Sequence, residues 1–254
     1  MATTKRIQSI ERAAAVLELF QNHVTELGLK EIAERTELNK STTFGIVNSL
    51  MELGYLMQNR ENQKYSLGPK ILTLASALRM NNIIMRITHP YLEELAGRYQ
   101  ETVHSAIDAG NASVIYLDKV ESDSSIIINT KMGVKNYMHC TGVGKCLLAY
   151  KTEQECDRIL HFPLTARTYN TRIAREPLYE ELRRIRECGY AMDNEEIEIG
   201  LSCIAVPVFQ APQTPGFAIS VSGASSRIME KMEHTDLLTC MKQIATELSE
   251  KIYQ

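Results

Sequence analysis

The chain has 254 residues, 44% of them hydrophobic and 23% charged, enough for one large domain or two small ones with real cores. Its net charge of −3 argues against a protein that coats nucleic acid non-specifically, because such binding is driven by phosphate neutralisation. The longest apolar runs, Ile126-Ile127-Ile128 and residues 201–209, are far shorter than the roughly 18 residues a membrane-spanning helix needs, and no apolar signal segment is seen, so a cytoplasmic protein with no membrane partner is expected.

The six cysteines, at 140, 146, 156, 188, 203 and 240, stand singly and never as Cys-x-x-Cys. They read as small core residues, and no disulfide framework, metal site or cofactor is expected. Charge is unevenly spread: residues 1–70 hold nine Lys/Arg and eight Asp/Glu, a balance of +1, and the remainder holds 19 against 23, a balance of −4. A weakly basic head on an acidic body fits a small DNA-contact surface.

Ile10, Ala13, Ala14, Leu17 and Phe20 recur at helical spacing, which predicts a first helix over residues 9–20 with Ser9 as its N-cap. A polar break and a short extended Leu27-Gly28-Leu29 lead to a second helix over 30–35. A turn at 37–40 precedes a third helix over 41–53, stopped by Gly54. On that helix Ile46, Val47, Leu50 and Leu53 form the packing side, and Ser41, Thr42, Gly45, Asn48 and Glu52 a small polar side. Residues 55–58 and 64–67 flank a polar turn as a hairpin. Three short helices followed by a hairpin is the order of a winged helix-turn-helix, whose third helix enters the major groove of double-stranded DNA. Such a domain is expected over residues 1–68.

Gly68-Pro69 then opens a linker, 69–86, with a helix over 70–80 whose apolar Ile71, Leu72, Leu74, Ala75 and Leu78 occupy more than one side. In so short a connector this points to burial against a second subunit. From residue 87 the pattern predicts a helix (87–99), strands at 103–108, 114–120 and 126–130, helical stretches at 142–150, 153–160 and 177–188, strands at 201–209 and 217–222, and a last helix over 228–253. Strands in hairpin order with helices grouped at the ends indicate an α+β domain with an antiparallel sheet, over 87–254.

Two features of this second domain point to a ligand. Residues 217–222 alternate Phe217, Ile219 and Val221 with Ala218, Ser220 and Ser222, and small hydroxyls on a sheet face make room for, and bond to, a compact polar molecule. Thr141-Gly142-Val143-Gly144 opens a helix, where free N–H groups and the positive dipole end favour a carboxylate or phosphate. It is not a Walker A loop, because His139 stands where the leading glycine belongs and Cys146 replaces the required Ser/Thr.

Ordered stretches along essentially the whole chain resemble the IclR family of transcriptional regulators. They include Gln8-Ser9-Ile10-Glu11-Arg12-Ala13, Asn39-Lys40-Ser41-Thr42, Tyr65-Ser66-Leu67-Gly68, Tyr116-Leu117-Asp118-Lys119-Val120-Glu121-Ser122, His139-Cys140-Thr141-Gly142-Val143-Gly144-Lys145, Gly200-Leu201-Ser202-Cys203-Ile204-Ala205-Val206-Pro207 and Ser220-Val221-Ser222-Gly223. The resemblance implies an N-terminal winged helix, a linker helix and a GAF-like effector domain. It also implies homodimers that often pair into tetramers on operator DNA, and a repressor or activator answering to a small-molecule effector. Effector contacts of the family map onto Gly142, Val143, Asp193, Cys203, Ser220 and Ser222, with the region around His139 closing the pocket. That set suits a small keto, hydroxy or sugar acid, with Asp193 accepting from a ligand hydroxyl or a bridging water.

On DNA, Lys40, Ser41 and Thr42 at the start of the third helix are expected to hold phosphates, Thr43 and Asn48 to reach bases, and Arg12 and Arg60 to contact phosphates from the first helix and the wing. The family pattern continues after Lys-Ser-Thr with a histidine or tyrosine and then an arginine, whereas this chain has Phe44-Gly45. The missing guanidinium removes a guanine contact worth about 1–3 kcal/mol of discrimination, so specificity shifts toward Phe44, Thr43, Asn48 or DNA shape. Phe44 reads equally well as half-core.

Three rival readings remain at this stage. Cys203, His139 and Asp193 suggest a nucleophile, base and orienter, but nothing in the sequence gives them that geometry, and no enzyme is expected. Cys140, Cys146 and His139 suggest a thiol or metal sensor with irregular ligand spacing. A domain that only scaffolds oligomers is the third.

Overall fold

The computed structural model describes residues 7–20, 24–81, 83–122, 130, 132–161 and 163–253, and the chain divides between Asn82 and Ile83 into two compact units. The strand expected at 126–130 lies outside the described residues except for Thr130.

The first unit contains α1 (Gln8–Glu18), α2 (Leu29–Arg35), α3 (Lys40–Glu52), the antiparallel pair β1 (Leu56–Gln58) and β2 (Tyr65–Leu67), and α4 (Pro69–Asn81). Val16, Phe20, Leu27, Ile32, Val47, Leu50, Leu56 and Tyr65 form its core, one or two residues from every element before α4. Leu27 and Tyr65 exchange backbone hydrogen bonds of 2.9 and 2.8 Å, which ties the segment ahead of α2 to the hairpin. Asn39, within the expected turn, caps α3: its side-chain oxygen accepts from the Thr42 N–H at 2.8 Å. The expected Ser9 cap on α1 is replaced by Ile7, which makes no side-chain cap bond. Gly54 follows α3 at φ +80°, the conformation that closes a helix with a left-handed residue.

The second unit opens with α5 (Ile83–Tyr99), which starts four residues before the expected 87. A six-stranded antiparallel sheet follows, in the order β5 (Lys135–Tyr137), β4 (Ser113–Val120), β3 (Thr102–Asp108), β8 (Thr214–Ala224), β7 (Leu201–Ala211), β6 (Ala191–Asn194). Helices α6 (Gly142–Leu148), α7 (Glu153–Leu160) and α8 (Arg175–Cys188) lie in sequence between β5 and β6, and α9 (Ser225–His234) and α10 (Leu237–Tyr253) close the unit. The single last helix expected from the sequence is thus two. They are separated by Thr235, which is extended, and by Asp236, whose carboxylate is held by the Arg98 guanidinium and the Tyr99 hydroxyl.

Alternation along β7 and β8 gives the sheet two unlike faces. Ile204, Val206, Phe217, Ile219 and Val221 pack with α5, α9 and α10 residues such as Leu92, Leu95, Ile228, Met241, Ile244 and Leu248. At about 1.5–3 kcal/mol for each large apolar side chain taken from water, this is the main stabilising layer of the unit. The opposite face bears Ala106, Ala205 and Ala218 with Val143, Cys146, Leu182 and Ile185 from α6 and α8. On β7 and β8 this face carries smaller side chains, Cys203, Ala205, Ala218, Ser220 and Ser222.

Candidate functional site

In the first unit, α3 presents one open side. Lys40, Ser41, Phe44, Gly45 and Ser49 are exposed and Thr42 and Asn48 half-buried, while Val47 and Leu50 face the core. Phe44 is 50% exposed, which settles the ambiguity of its sequence reading in favour of the surface. Leu53, expected to pack, is instead 55% exposed.

Thr43 requires a correction. It is fully buried and its hydroxyl donates to the Asn39 carbonyl at 3.0 Å, one helical turn back, so it cannot reach a base. Ser41 donates to Asn39 Oδ1 at 2.8 Å and so belongs to the cap of the helix as well as to its open side. At the hairpin turn, Asn59 and Asn62 donate to the two Glu26 carboxylate oxygens at 3.2 and 2.8 Å, which pins the turn and leaves Arg60 exposed at its tip. These bonds hold the Glu26 pKa below its ordinary value. Arg12 on α1 is half-buried.

In the second unit, the polar residues line up across the small-residue face of the sheet. Asp193 on β6 pairs with Cys203 on β7, and Cys203 with Ser222 on β8; one row along, Ala191 pairs with Ala205 and Ala205 with Ser220. Cross-strand partners project from the same face, so Asp193, Cys203, Ser220 and Ser222 form one buried patch. The hydroxyls of Ser222 and Ser220 lie within hydrogen-bonding reach of the Cys203 thiol, yet burial dominates and pushes that thiol up to about 11. Burial likewise pushes Cys140 up to about 12, and Cys146 well above its ordinary value. These thiols stay protonated at neutral pH, which is not the environment of a thiolate sensor or nucleophile.

Asp193 differs from the ionised acceptor suggested by the sequence. Burial raises its pKa to about 7, even though the Glu196 N–H donates to its Oδ1 at 2.7 Å and the Lys145 ammonium lies nearby. At neutral pH a large share of this carboxyl therefore carries a proton that it can donate.

The α6 start covers the same patch. Gly142 lies directly on β7, where an added methyl would fall 2.9 Å from Cys203 Sγ and 3.5 Å from Ala205 Cβ. The close approach that this glycine permits is therefore to the sheet. At Gly144 the same test meets the Met138 carbonyl at 2.4 Å, again protein. Val143 packs its side chain into the core, which leaves only its backbone for a ligand. Thr141 is corrected from ligand contact to cap: its hydroxyl donates to the Tyr137 carbonyl at 2.7 Å and accepts from the Gly144 N–H at 3.0 Å, and both roles are structural. His139 is buried, with Nε2 3.1 Å from the Thr165 carbonyl, and burial lowers its pKa. That nitrogen is engaged with backbone and is no general base for Cys203.

Sequence reasoning missed an ionic cluster behind this patch. Lys145, on α6, is fully buried and bonded to the fully buried Glu196; Glu181 lies 3.6 Å from the same ammonium, and Arg172 reaches Glu196 at 3.0 Å. Thr168 and Thr171 hydroxyls donate to the Glu195 and Glu196 carbonyls at 2.7 and 2.6 Å, fixing the turn after β6 that also presents a backbone N–H to Asp193. The signal was the pair of a helix-borne lysine and an acidic run, which by themselves read as surface charge. His104, on β3 and beside Ser220, was missed too.

The family description "IclR helix-turn-helix domain" matches residues 9–60, and "Bacterial transcriptional regulator IclR C-terminal" matches residues 75–250. The HTH-type transcriptional regulator XynR of Escherichia coli K12 is 36% identical over 223 residues, 87% of this chain and 88% of that protein. The HTH-type transcriptional regulator KdgR of the same organism is 32% identical over 247 residues, 95% of this chain and 93% of that one. Among solved structures, an IclR transcriptional regulator from Silicibacter sp. TM1040 superposes with a TM-score of 0.87 at 25% identity, covering 96% of each chain. An N-terminal helix-turn-helix unit and a curled antiparallel sheet unit, each matching over most of its length, make this chain a member of the IclR family of transcriptional regulators, a family of DNA-binding effector-responsive proteins and not of enzymes.

Proposed function

We propose that the chain grips double-stranded operator DNA as a homodimer through α3 and the β1–β2 wing, and that a small carboxylic acid seated on the small-residue face of the second unit changes that grip. One observation carries the effector reading: Asp193, Cys203, Ser220 and Ser222 share one face of the sheet, all buried, among alanines and beneath Gly142. Serine hydroxyls donate to the acid, together with the protonated Asp193 carboxyl, and the alanines leave room for a compact carbon chain. Helix α6 is only seven residues long, so its dipole is a minor contribution beside these side chains.

On the DNA side, Lys40, Ser41 and Thr42 face the phosphates, Phe44 and Asn48 the base edges, and Arg12 and Arg60 the flanking backbone. Support comes from the exposure of Lys40, Phe44 and Arg60 on the elements that a winged helix uses. Helix α4 exposes Leu72 by 71% and Leu74 by 51%, apolar surface that a second subunit would cover.

A gel shift on the DNA upstream of the protein's own gene, titrated with a panel of small keto, hydroxy and sugar acids, tests both units at once. The expected result is a shifted band whose midpoint moves with one class of acid. A band that no acid moves, together with no acid-induced thermal shift of the protein, overturns the effector reading.

A further inference from the structure

Strand β3 places a histidine on the same sheet face as the two serines. His104 pairs with Ser220 in the β3–β8 register, so their Cβ atoms stand about 5 Å apart on one side of the sheet. Toward β8 and β7 its neighbours on that face are short, Ala106 and Ala218 in the next row and Ala205 beyond Ser220, whereas toward β4 it pairs with Lys119 and packs on Tyr116. The imidazole is only 1% exposed. Its Nε2 lies 2.6 Å from the Thr130 hydroxyl, whereas Nδ1, equally buried, has no hydrogen-bond partner among the described residues. The ring packs 4.8 Å from that of Tyr116. His104 and Asp193 thus stand on opposite sides of the patch formed by Cys203, Ser220 and Ser222.

A buried ring nitrogen with nothing to bond is costly, and a plain core position would hold a leucine or phenylalanine without that cost. Burial also keeps the imidazole neutral, its pKa lowered to about 3, so each nitrogen has one role. The Thr130 contact fits either ring tautomer; in the one where the Thr130 hydroxyl donates to Nε2, the ring proton resides on Nδ1 and is left to bond elsewhere.

We propose that His104 is a specificity-determining residue of the effector site, whose Nδ1–H donates a hydrogen bond to an oxygen substituent of the acid, the keto or hydroxyl oxygen beside the carboxylate. The proposal rests on the acid-effector reading above and adds to it the part of the ligand being discriminated. Ser220 and Ser222 serve every acid; His104 separates oxygenated acids from plain ones.

The test uses the full-length protein and straight-chain acids of three to six carbons, each in unsubstituted, 2-hydroxy and 2-oxo form, with operator release and calorimetric affinity as readouts. Wild type is expected to prefer an oxygenated acid over its plain counterpart by about tenfold or more, the effect of one buried hydrogen bond. His104→Phe abolishes that preference and leaves the plain acid's affinity within a few-fold. His104→Asn, which sets an amide near the Nδ1 position, retains most of it, and His104→Gln, which sets its amide near Nε2, does not. This Asn against Gln contrast decides the matter if the Phe variant fails to fold. A wild type that answers acids while His104→Phe and His104→Gln keep the full preference overturns the role of His104 alone. A wild type that answers no acid overturns the acid reading and this proposal with it, and Ser220→Ala with Ser222→Ala, expected to lose every acid, reports on that reading separately.

Discussion

Gly142 and Cys203 are packed so closely that a methyl group on the glycine would sit 2.9 Å from the cysteine sulfur. This contact seats the start of α6 on β7, over the polar patch. Gly142→Ala is expected to destabilise the second unit by about 1–3 kcal/mol, the usual cost of overpacking. Cys203→Ala removes the sulfur that clashes, so the double variant should recover more than half of that loss. Denaturant unfolding of the two single variants and the double variant measures the coupling; purely additive costs would show that the contact is not the cause.

The raised pKa of Asp193 gives a pH signature. The unfolded carboxyl titrates near 3.8 and the folded one near 7, so between these values the folded chain holds a proton that the unfolded chain has lost. The stability contributed by this group is complete below the lower value and declines as pH rises through the upper one. If the protonated carboxyl donates to an anionic effector, affinity falls above pH 7, with a limit of about tenfold per pH unit. Asp193→Asn should flatten the profile. Calorimetric titrations from pH 6 to 8.5 on both proteins decide it, and parallel profiles would remove Asp193 from direct contact with the acid.

Lys40 is exposed at the first turn of α3. Lys40→Ala is expected to weaken operator binding and to reduce the slope of log affinity against log salt by about 0.9, one phosphate's share of counterion release. Fluorescence anisotropy at several salt concentrations provides the slope, and an unchanged slope would take Lys40 off the backbone.

Thr43 and Asn48 should separate cleanly. Thr43→Ala deletes a buried hydroxyl bonded to Asn39 and is expected to cost about 1 kcal/mol of stability in the first unit without altering which operator is preferred. Asn48→Ala should leave stability within about 0.5 kcal/mol and change base preference at one position of the site, read by competition among operator variants. A preference shift in Thr43→Ala would show that the helix repacks on DNA.

Much of the architecture was legible because local chemistry and tertiary packing agree. Every helix and strand of the first unit follows from apolar spacing and from Gly54, Gly68 and Pro69, since a unit of this size has one core and each element has one way to face it. The divided C-terminal helix was not legible. Periodicity runs through Thr235-Asp236, and it is Arg98 and Tyr99, far away in sequence, that hold Asp236 and permit the break. The short edge strands β5 and β6 were missed because three or four residues carry too little alternation to register. The two-faced alternation of β8 was legible, since the strand is long and alternates throughout. Its companions were harder. Thr43 resembles a surface hydroxyl until its bond to a backbone carbonyl is seen, Lys145 resembles a solvated charge until Glu196 is placed beside it, and His104 gains meaning only once the register sets it opposite Ser220.

The two unlike faces of the β7–β8 hairpin have a consequence for how such a sensor diversifies. Residues that hold the unit together alternate one by one with residues of the proposed effector patch along the same two strands: Ile204 and Val206 with Cys203 and Ala205, Ile219 and Val221 with Ser220 and Ser222. Side-chain swaps on the second set can retune what is sensed while the first set keeps the scaffold standing. Inserting or deleting a single residue within the regularly paired part would exchange the two sets, putting hydroxyls into the apolar layer and isoleucines onto the small-residue face. Away from the irregular pairing near the turn at Phe209 and Ala211, this hairpin can absorb a change of side chain but not a change of length.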